Sequence, residues 1–280
     1  MNIITQRRSL LRFSWLASLA WAFGMLPLAS AQADQLVSLT TRAGVQQELL
    51  LWEAAPAQPD TVFLILPGGS GELGLTKLAQ RVKAEQPYLF SAQRLALLQP
   101  GRAVLVLNAP SDQPDLSQSF RLSSAHAEDL GAVVRLIRQR YPAARLVLLA
   151  HSRGTLSAGY ILQNLAQHIS AAVLFAGLYQ ASDAQAGAPS AGPGLSWLNW
   201  SEIKTPVLAV HHVHDACPVA PYAAAQASGL ALITVQKKVR PTAEFPCGPG
   251  TYHWFAGQEQ AIAKEVSHWL AGQTWRRTLP

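Results

Sequence analysis

The sequence predicts an α/β fold, a mixed but mostly parallel sheet covered by helices on both faces. Three observations predict it. Short apolar runs without a polar break recur along the chain, the pattern of strands buried on both faces. Helical stretches alternate with them, which requires crossover connections and hence parallel strands. The 280 residues are 49% hydrophobic and only 14% charged, enough for one sizeable core and one domain.

The elements follow in order. Residues 1–33 read as an export signal. Arg7, Arg8 and Arg12 form its positive start, Phe13 to Leu28 its apolar stretch, and Ala29-Ser30-Ala31 and Ala31-Gln32-Ala33 two small-residue cleavage patterns. The apolar stretch is short for a bilayer span, so no stable membrane anchor is expected. Arg7-Arg8-Ser9-Leu10-Leu11 resembles a twin-arginine signal, and an ordinary secretory leader fits as well. No cysteine follows the apolar run, which argues against a lipoprotein anchor. The expected domain is 34–280, in the periplasm or outside the cell. The formal charge of +6 falls to +3 without the three leader arginines. No basic run is interleaved with aromatics, so nucleic acid is not an expected partner.

Leu36 to Thr40 and Val45 to Trp52 read as a hairpin turning at Gly44. Thr61 to Leu66 is a buried strand that runs into Pro67-Gly68-Gly69-Ser70-Gly71, where glycine lets a ligand approach the backbone. Leu73 to Ala84 is weakly helical, and no element is assigned to 85–102. Ala103 to Asn108 is the next buried strand, followed by a polar loop from Ser111 to Phe120 carrying Asp112 and Asp115. Ser123 or Ser124 caps an amphipathic helix with Val133, Val134, Leu136 and Ile137 on its apolar side. Leu146 to Ala150 is a strand, and a helix of small residues runs to about Ala166. Strands follow at Ala171–Ala176, Pro206–His211 and Leu230–Val235, and a last helix at Phe255–Leu270. The segment between Ala176 and Pro206 leaves room for a helix and a loop but not for a large lid; Ser182 to Leu195 within it reads as a loop.

Ala150-His151-Ser152-Arg153-Gly154 organises the chain. A buried strand, a tight turn with serine at its apex and a helix make a nucleophile elbow. The flanking positions must be small because strand and helix nearly touch there. Gly154 meets that need, and Ala150 stands where glycine is usual. A serine nucleophile needs a base, and the base an acid, in the chain order serine, acid, histidine. Of the downstream histidines, His253 lies on a loop after the last strand, in Gly250-Thr251-Tyr252-His253-Trp254-Phe255. His168 and His268 lie on helices. Asp215 stands just past the strand ending at His211, where the acid belongs; Asp183 is the substitute. The oxyanion hole needs two converging backbone N–H groups. Arg153 supplies one, and Gly69 or Ser70 the other. Within the cluster of His211, His212, His214 and Asp215, the last three have ligand chemistry for zinc, but ligands usually come from separate segments and no second set is evident. His211 and His212 are expected to fill space beside Asp215, one of them as a hydrogen-bond partner. No metal or cofactor is expected.

Ala150-His151-Ser152-Arg153-Gly154, Pro67-Gly68-Gly69, Asp215 and His253 occur in the order and spacing of the α/β-hydrolase superfamily, which the chain resembles from about Leu36 to Leu270. The resemblance implies a three-layer sandwich around a mixed sheet of about eight strands, with a small or absent cap. It implies a serine hydrolase with Ser152 as nucleophile, His253 as base, Asp215 as acid and a small-molecule ester or thioester as substrate. Amide or peptide hydrolysis, and a binding protein that keeps the fold without catalysis, are the alternatives. The oxyanion loop lacks the histidine of the His-Gly-Gly form. On this reading the loops bearing Asp215 and His253 meet, so Cys217 and Cys247, the only two cysteines, are expected to form a disulfide in an oxidising compartment. No oligomeric state is assigned.

Overall fold

The computed structural model describes residues 35–53, 58–78, 81–91, 101–183 and 191–280. The expected export signal lies outside them. One nine-stranded sheet organises the molecule. Its strands are β1 (Gln35–Arg42), β2 (Val45–Glu53), β3 (Thr61–Leu66), β6 (Arg102–Leu107), β7 (Arg145–His151), β8 (Ala171–Phe175), β9 (Val207–His212), β10 (Ala231–Val235) and β11 (Thr278–Leu279). A separate hairpin pairs β4 (Leu75–Leu78) with β5 (Arg81–Ala84).

The spatial order is β1-β2-β6-β3-β7-β8-β9-β10-β11. β2 pairs antiparallel with both β1 and β6, and the pairs from β6 to β11 are parallel. The sheet is therefore mixed and mostly parallel, as the alternation of strands and helices predicts. The antiparallel start is the hairpin through Gly44, whose φ of +74° favours glycine.

Alternation along each strand builds two cores. After the single-turn helix α1 (Gln118–Arg121), Leu64, Leu105, Leu148 and Leu174 on one face pack under α2 (Ser124–Arg140) and α3 (Gly154–Asn164), through Leu130, Val133, Val134, Ile137, Leu156 and Ile161. α4 (Tyr222–Ala227) adds Ala225 to the same face. On the other face Phe63, Ile65, Val147, Val173 and Phe175 pack against α5 (Glu259–Leu270), with Tyr88, Leu89 and Phe90. The parallel strands are buried on both sides, which is why they read as unbroken apolar runs.

Two expectations are corrected. Leu73–Ala84 is not helical. Gly74 takes φ +57°, and Glu85 N–H and Gln86 N–H close on the carbonyls of Gly74 and Leu73. That pairing selects a hairpin over a helix of weak periodicity. The last helix starts at Glu259, not Phe255, because Phe255 and Gly257 both have left-handed φ, +56° and +71°. Between β8 and β9 the described residues form turns and no helix. The ninth strand, β11, is two residues long. Ser123 is the cap of α2, its hydroxyl accepting from His126 N–H at 3.2 Å.

Candidate active site

The site sits at the carboxyl ends of the central strands. β7 ends at His151 and α3 begins at Gly154, so the turn holds only Ser152 and Arg153. Ser152 takes φ +50°, a conformation costly for a residue with a Cβ. Three bonds hold it there. Ser152 N–H donates to Phe175 O at 2.9 Å, and Ser152 O accepts from Thr155 N–H at 2.9 Å and from the Thr155 hydroxyl at 2.7 Å. Gly154 is required by contact. A Cβ there would run into the Leu66 carbonyl oxygen and lie 2.8 Å from that of Pro67. Ala150 is fully buried and its methyl is accommodated.

The three residues predicted to act together are in one hydrogen-bond chain. His253 Nε2 lies 2.9 Å from Ser152 Oγ, and His253 Nδ1 lies 2.8 Å from Asp215 Oδ2. Asp215 follows β9 and its side chain is fully buried. Its other oxygen accepts from Cys217 N–H at 2.9 Å. His211 Nε2 donates to Ala220 O at 2.8 Å and lies 3.3 Å from Asp215 Oδ2. Burial alone would raise the Asp215 carboxyl. The hydrogen bonds from His211 and His253 overcome burial and hold it well below the usual carboxylate range. Asp183, the substitute acid, is exposed.

His253 rides on a short turn, Tyr252–Trp254, closed by the left-handed Phe255. His151 supports it from below. His151 Nε2 donates to His253 O at 3.0 Å, and the His151 ring packs 4.8 Å from that of Trp254. Burial first, then the neighbouring His253, push the His151 imidazole down to about 3, so it is neutral. A bridge between Cys217 and Cys247, with a Cα separation of 4.7 Å, ties the Asp215 loop to the His253 loop. Trp254 Nε1 donates to Cys247 O at 2.9 Å from the same turn.

The glycine loop faces Ser152 from the β3 side. A Cβ at Gly68 would lie 2.8 Å from the Ser152 Cβ. Gly71 N–H closes the turn on Gly68 O at 3.1 Å, leaving the N–H groups of Gly69 and Ser70 outside that turn's own bonding. Arg121, fully buried, holds this loop from behind. It donates to Pro67 O at 3.0 Å, Leu116 O at 3.1 Å and Ser157 Oγ at 2.9 Å. His126 Nε2 bonds the same Ser157 hydroxyl at 2.8 Å. Burial first, then the Arg153 charge, lower the Arg121 guanidinium to about 9, and it remains protonated at neutral pH.

The histidines beside Asp215 do not converge. His212 Nε2 donates to Lys237 O at 3.0 Å, and His214 lies at the surface near Tyr252. Among the described residues no group of histidine, cysteine and acidic side chains has metal-site geometry. Sequence reasoning anticipated a histidine on Asp215. It missed His151, Arg121 and His126, whose partners are distant in the chain.

A mostly parallel sheet with a strand–serine–helix elbow at its centre and acid and histidine loops beyond it is the α/β-hydrolase fold. Solved structures with this fold are similar over most of the chain. Est1E from Butyrivibrio proteoclasticus aligns with a TM-score of 0.60 at 14% identity, covering 85% of this chain and 98% of its own. An α/β serine hydrolase without lid from Xanthomonas campestris aligns with a TM-score of 0.54 at 12% identity, covering 86% and 94%. A thermostable esterase aligns with a TM-score of 0.51 at 14% identity over 86% of this chain, which spans 63% of that enzyme. No protein-family model matches the sequence, and no curated protein matches it.

Proposed function

We propose that the protein is an exported serine hydrolase that cleaves an ester or thioester through an acyl-enzyme on Ser152. One observation carries the reading: the unbroken chain from Ser152 Oγ through the His253 ring to the buried Asp215 carboxylate. Ser152 Oγ attacks the acyl carbon while its proton passes to His253 Nε2. The oxyanion is held by the backbone N–H of Arg153 and of Gly69 or Ser70. His253 then protonates the departing alcohol or thiol. A water, deprotonated by the same nitrogen, attacks the acyl carbon and frees the acid and Ser152. Asp215 keeps the imidazole oriented and stabilises its cation. The esterases among the solved neighbours support an ester substrate, and an easily expelled leaving group favours ester over amide. Residues 1–33 are the leader removed on export. The disulfide and the lack, among the described residues, of any helix long and apolar enough to cross a membrane are compatible with that route.

The test is labelling by a fluorophosphonate probe together with hydrolysis of p-nitrophenyl esters. Wild-type protein labels and turns over, and Ser152→Ala does neither, with kcat lower by on the order of 10³ or more. Equal turnover by Ser152→Ala overturns the reading. Mass spectrometry of exported protein tests the leader.

A further inference from the structure

Arg153 leaves more of its donors unsatisfied than Arg42 or Arg121 does. It follows Ser152 directly, and its side chain is only 11% exposed. Its one partner among the described residues is Asp115 Oδ1, 3.4 Å from Nη1, on a carboxylate side chain that is 67% exposed. Such a long contact to a hydrated carboxylate is weak. A guanidinium has five N–H donors in a rigid fork, so most of this one's donors are unused. Arg42 provides the contrast, with paired bonds to Asp112 and Asp129. Arg121 has its donors on Pro67, Leu116 and Ser157. The Arg153 charge lies close enough to Arg121 to be felt there.

The position of the guanidinium is also defined. Leu116 N–H donates to Ser70 O at 2.8 Å, which ties the Asp115 segment to the glycine loop. Sheet order puts that loop on the β3 side of β7, whereas Asp215 and His253 arrive from the β9 and β10 side. The guanidinium therefore flanks the nucleophile on the oxyanion side, away from the general base. A partly buried cation calls for an anion, and the fork matches a carboxylate bidentately.

We propose that Arg153 is a specificity-determining residue that binds a carboxylate on the substrate. The preferred substrates are then esters whose acyl part carries a second carboxylate a few atoms from the scissile carbonyl, the half-esters of short dicarboxylic acids. This rests on the assignment of Ser152 as nucleophile. Asp115 holds the fork loosely until the substrate carboxylate takes its place.

The experiment compares kcat/KM for mono-p-nitrophenyl glutarate and the neutral p-nitrophenyl butyrate. Wild type favours the anionic ester by about tenfold or more, the worth of a charge-assisted hydrogen-bond pair, and the ratio shrinks as salt rises. Arg153→Met brings the ratio to one or below, Arg153→Lys recovers part of it, and Asp115→Asn raises it by freeing the fork. Glutarate binding to Ser152→Ala, measured by calorimetry, gives a readout without turnover. It weakens at least about tenfold when Arg153→Met is added. A wild type that hydrolyses both esters with no anionic preference, or glutarate binding indifferent to Arg153→Met, overturns the carboxylate assignment and leaves the hydrolase reading standing. A wild type that binds glutarate through Arg153 yet neither labels with fluorophosphonate nor hydrolyses either ester upholds the anion site and overturns the hydrolase reading.

Discussion

Arg121 Nη2 lies 3.0 Å from the carbonyl oxygen of Pro67, across 54 residues of chain. This bond turns a glycine loop, flexible in isolation, into a fixed wall facing Ser152. The site is buried, so a carbonyl oxygen there that loses its hydrogen bond costs about 1–3 kcal/mol.

Arg121→Lys keeps a positive charge but cannot reach Leu116, Ser157 and Pro67 together. Its kcat for a p-nitrophenyl ester should fall about 10–100-fold from misplacement of the oxyanion donors, with KM nearly unchanged. Ser157→Ala removes one partner only and should show a smaller effect of the same kind. A variant that lowers Tm but leaves kcat intact would restrict Arg121 to stability.

Asp215→Asn should cost roughly 10²–10⁴ in kcat, because the amide favours the wrong His253 tautomer. Asp183→Asn should be neutral, since Asp183 is exposed. The reverse pattern would move the acid to the β8 loop.

The Cys217–Cys247 bridge closes a loop of 30 residues. Replacing both by serine should lower stability by about 3–4 kcal/mol by the chain-entropy model, read as a shift in the urea midpoint. Activity should fall as well, because Cys217 N–H holds Asp215 Oδ1. Unchanged melting would show that the packing alone holds the two loops.

Acid should destabilise the fold before carboxylates titrate. Burial, then the charges of Arg121 and Arg42, hold His126 to about 3, and His151 is likewise at about 3. In the unfolded chain both take a proton near 6.5. Between pH 6.5 and 3 the unfolded state therefore binds protons that the folded state refuses, and stability falls as pH falls. Each histidine contributes a slope of about 1.4 kcal/mol per pH unit. The depressed Asp215 carboxyl adds to the loss only below its usual value near 3.8. Thermal melts from pH 7 to 4.5 should show the decline, and His126→Asn should make it shallower. A flat profile would refute the argument.

The elbow and the buried strands were legible because each is local. An unbroken apolar run ends in a turn whose neighbours must be small, and Gly154 shows the demand in its own identity. The chain order of Ser152, Asp215 and His253 added the rest of the trio. What escaped was decided at a distance. Leu73, Leu75, Leu78 and Val82 allow more than one period, and only the closure of Glu85 and Gln86 onto Gly74 and Leu73 makes them a hairpin. Phe255 belongs to an apolar helix pattern, yet its backbone is spent turning the His253 loop. Arg121 reads like any surface arginine, and nothing near it in the chain announces that it is buried beneath the glycine loop.

The two residues of β11 have a consequence for how molecules meet one another. Thr234 N–H and Gln236 N–H of the β10 segment donate to Arg277 O and Leu279 O at 2.8 Å each, and Arg276 is anchored by Glu265 at 2.9 Å. Without that short tail, β10 would offer open hydrogen-bonding groups to any passing chain, an invitation to edge-to-edge aggregation. The tail caps the sheet as a selvedge finishes cloth, and trimming the chain at Trp275 should produce a protein that associates through that margin.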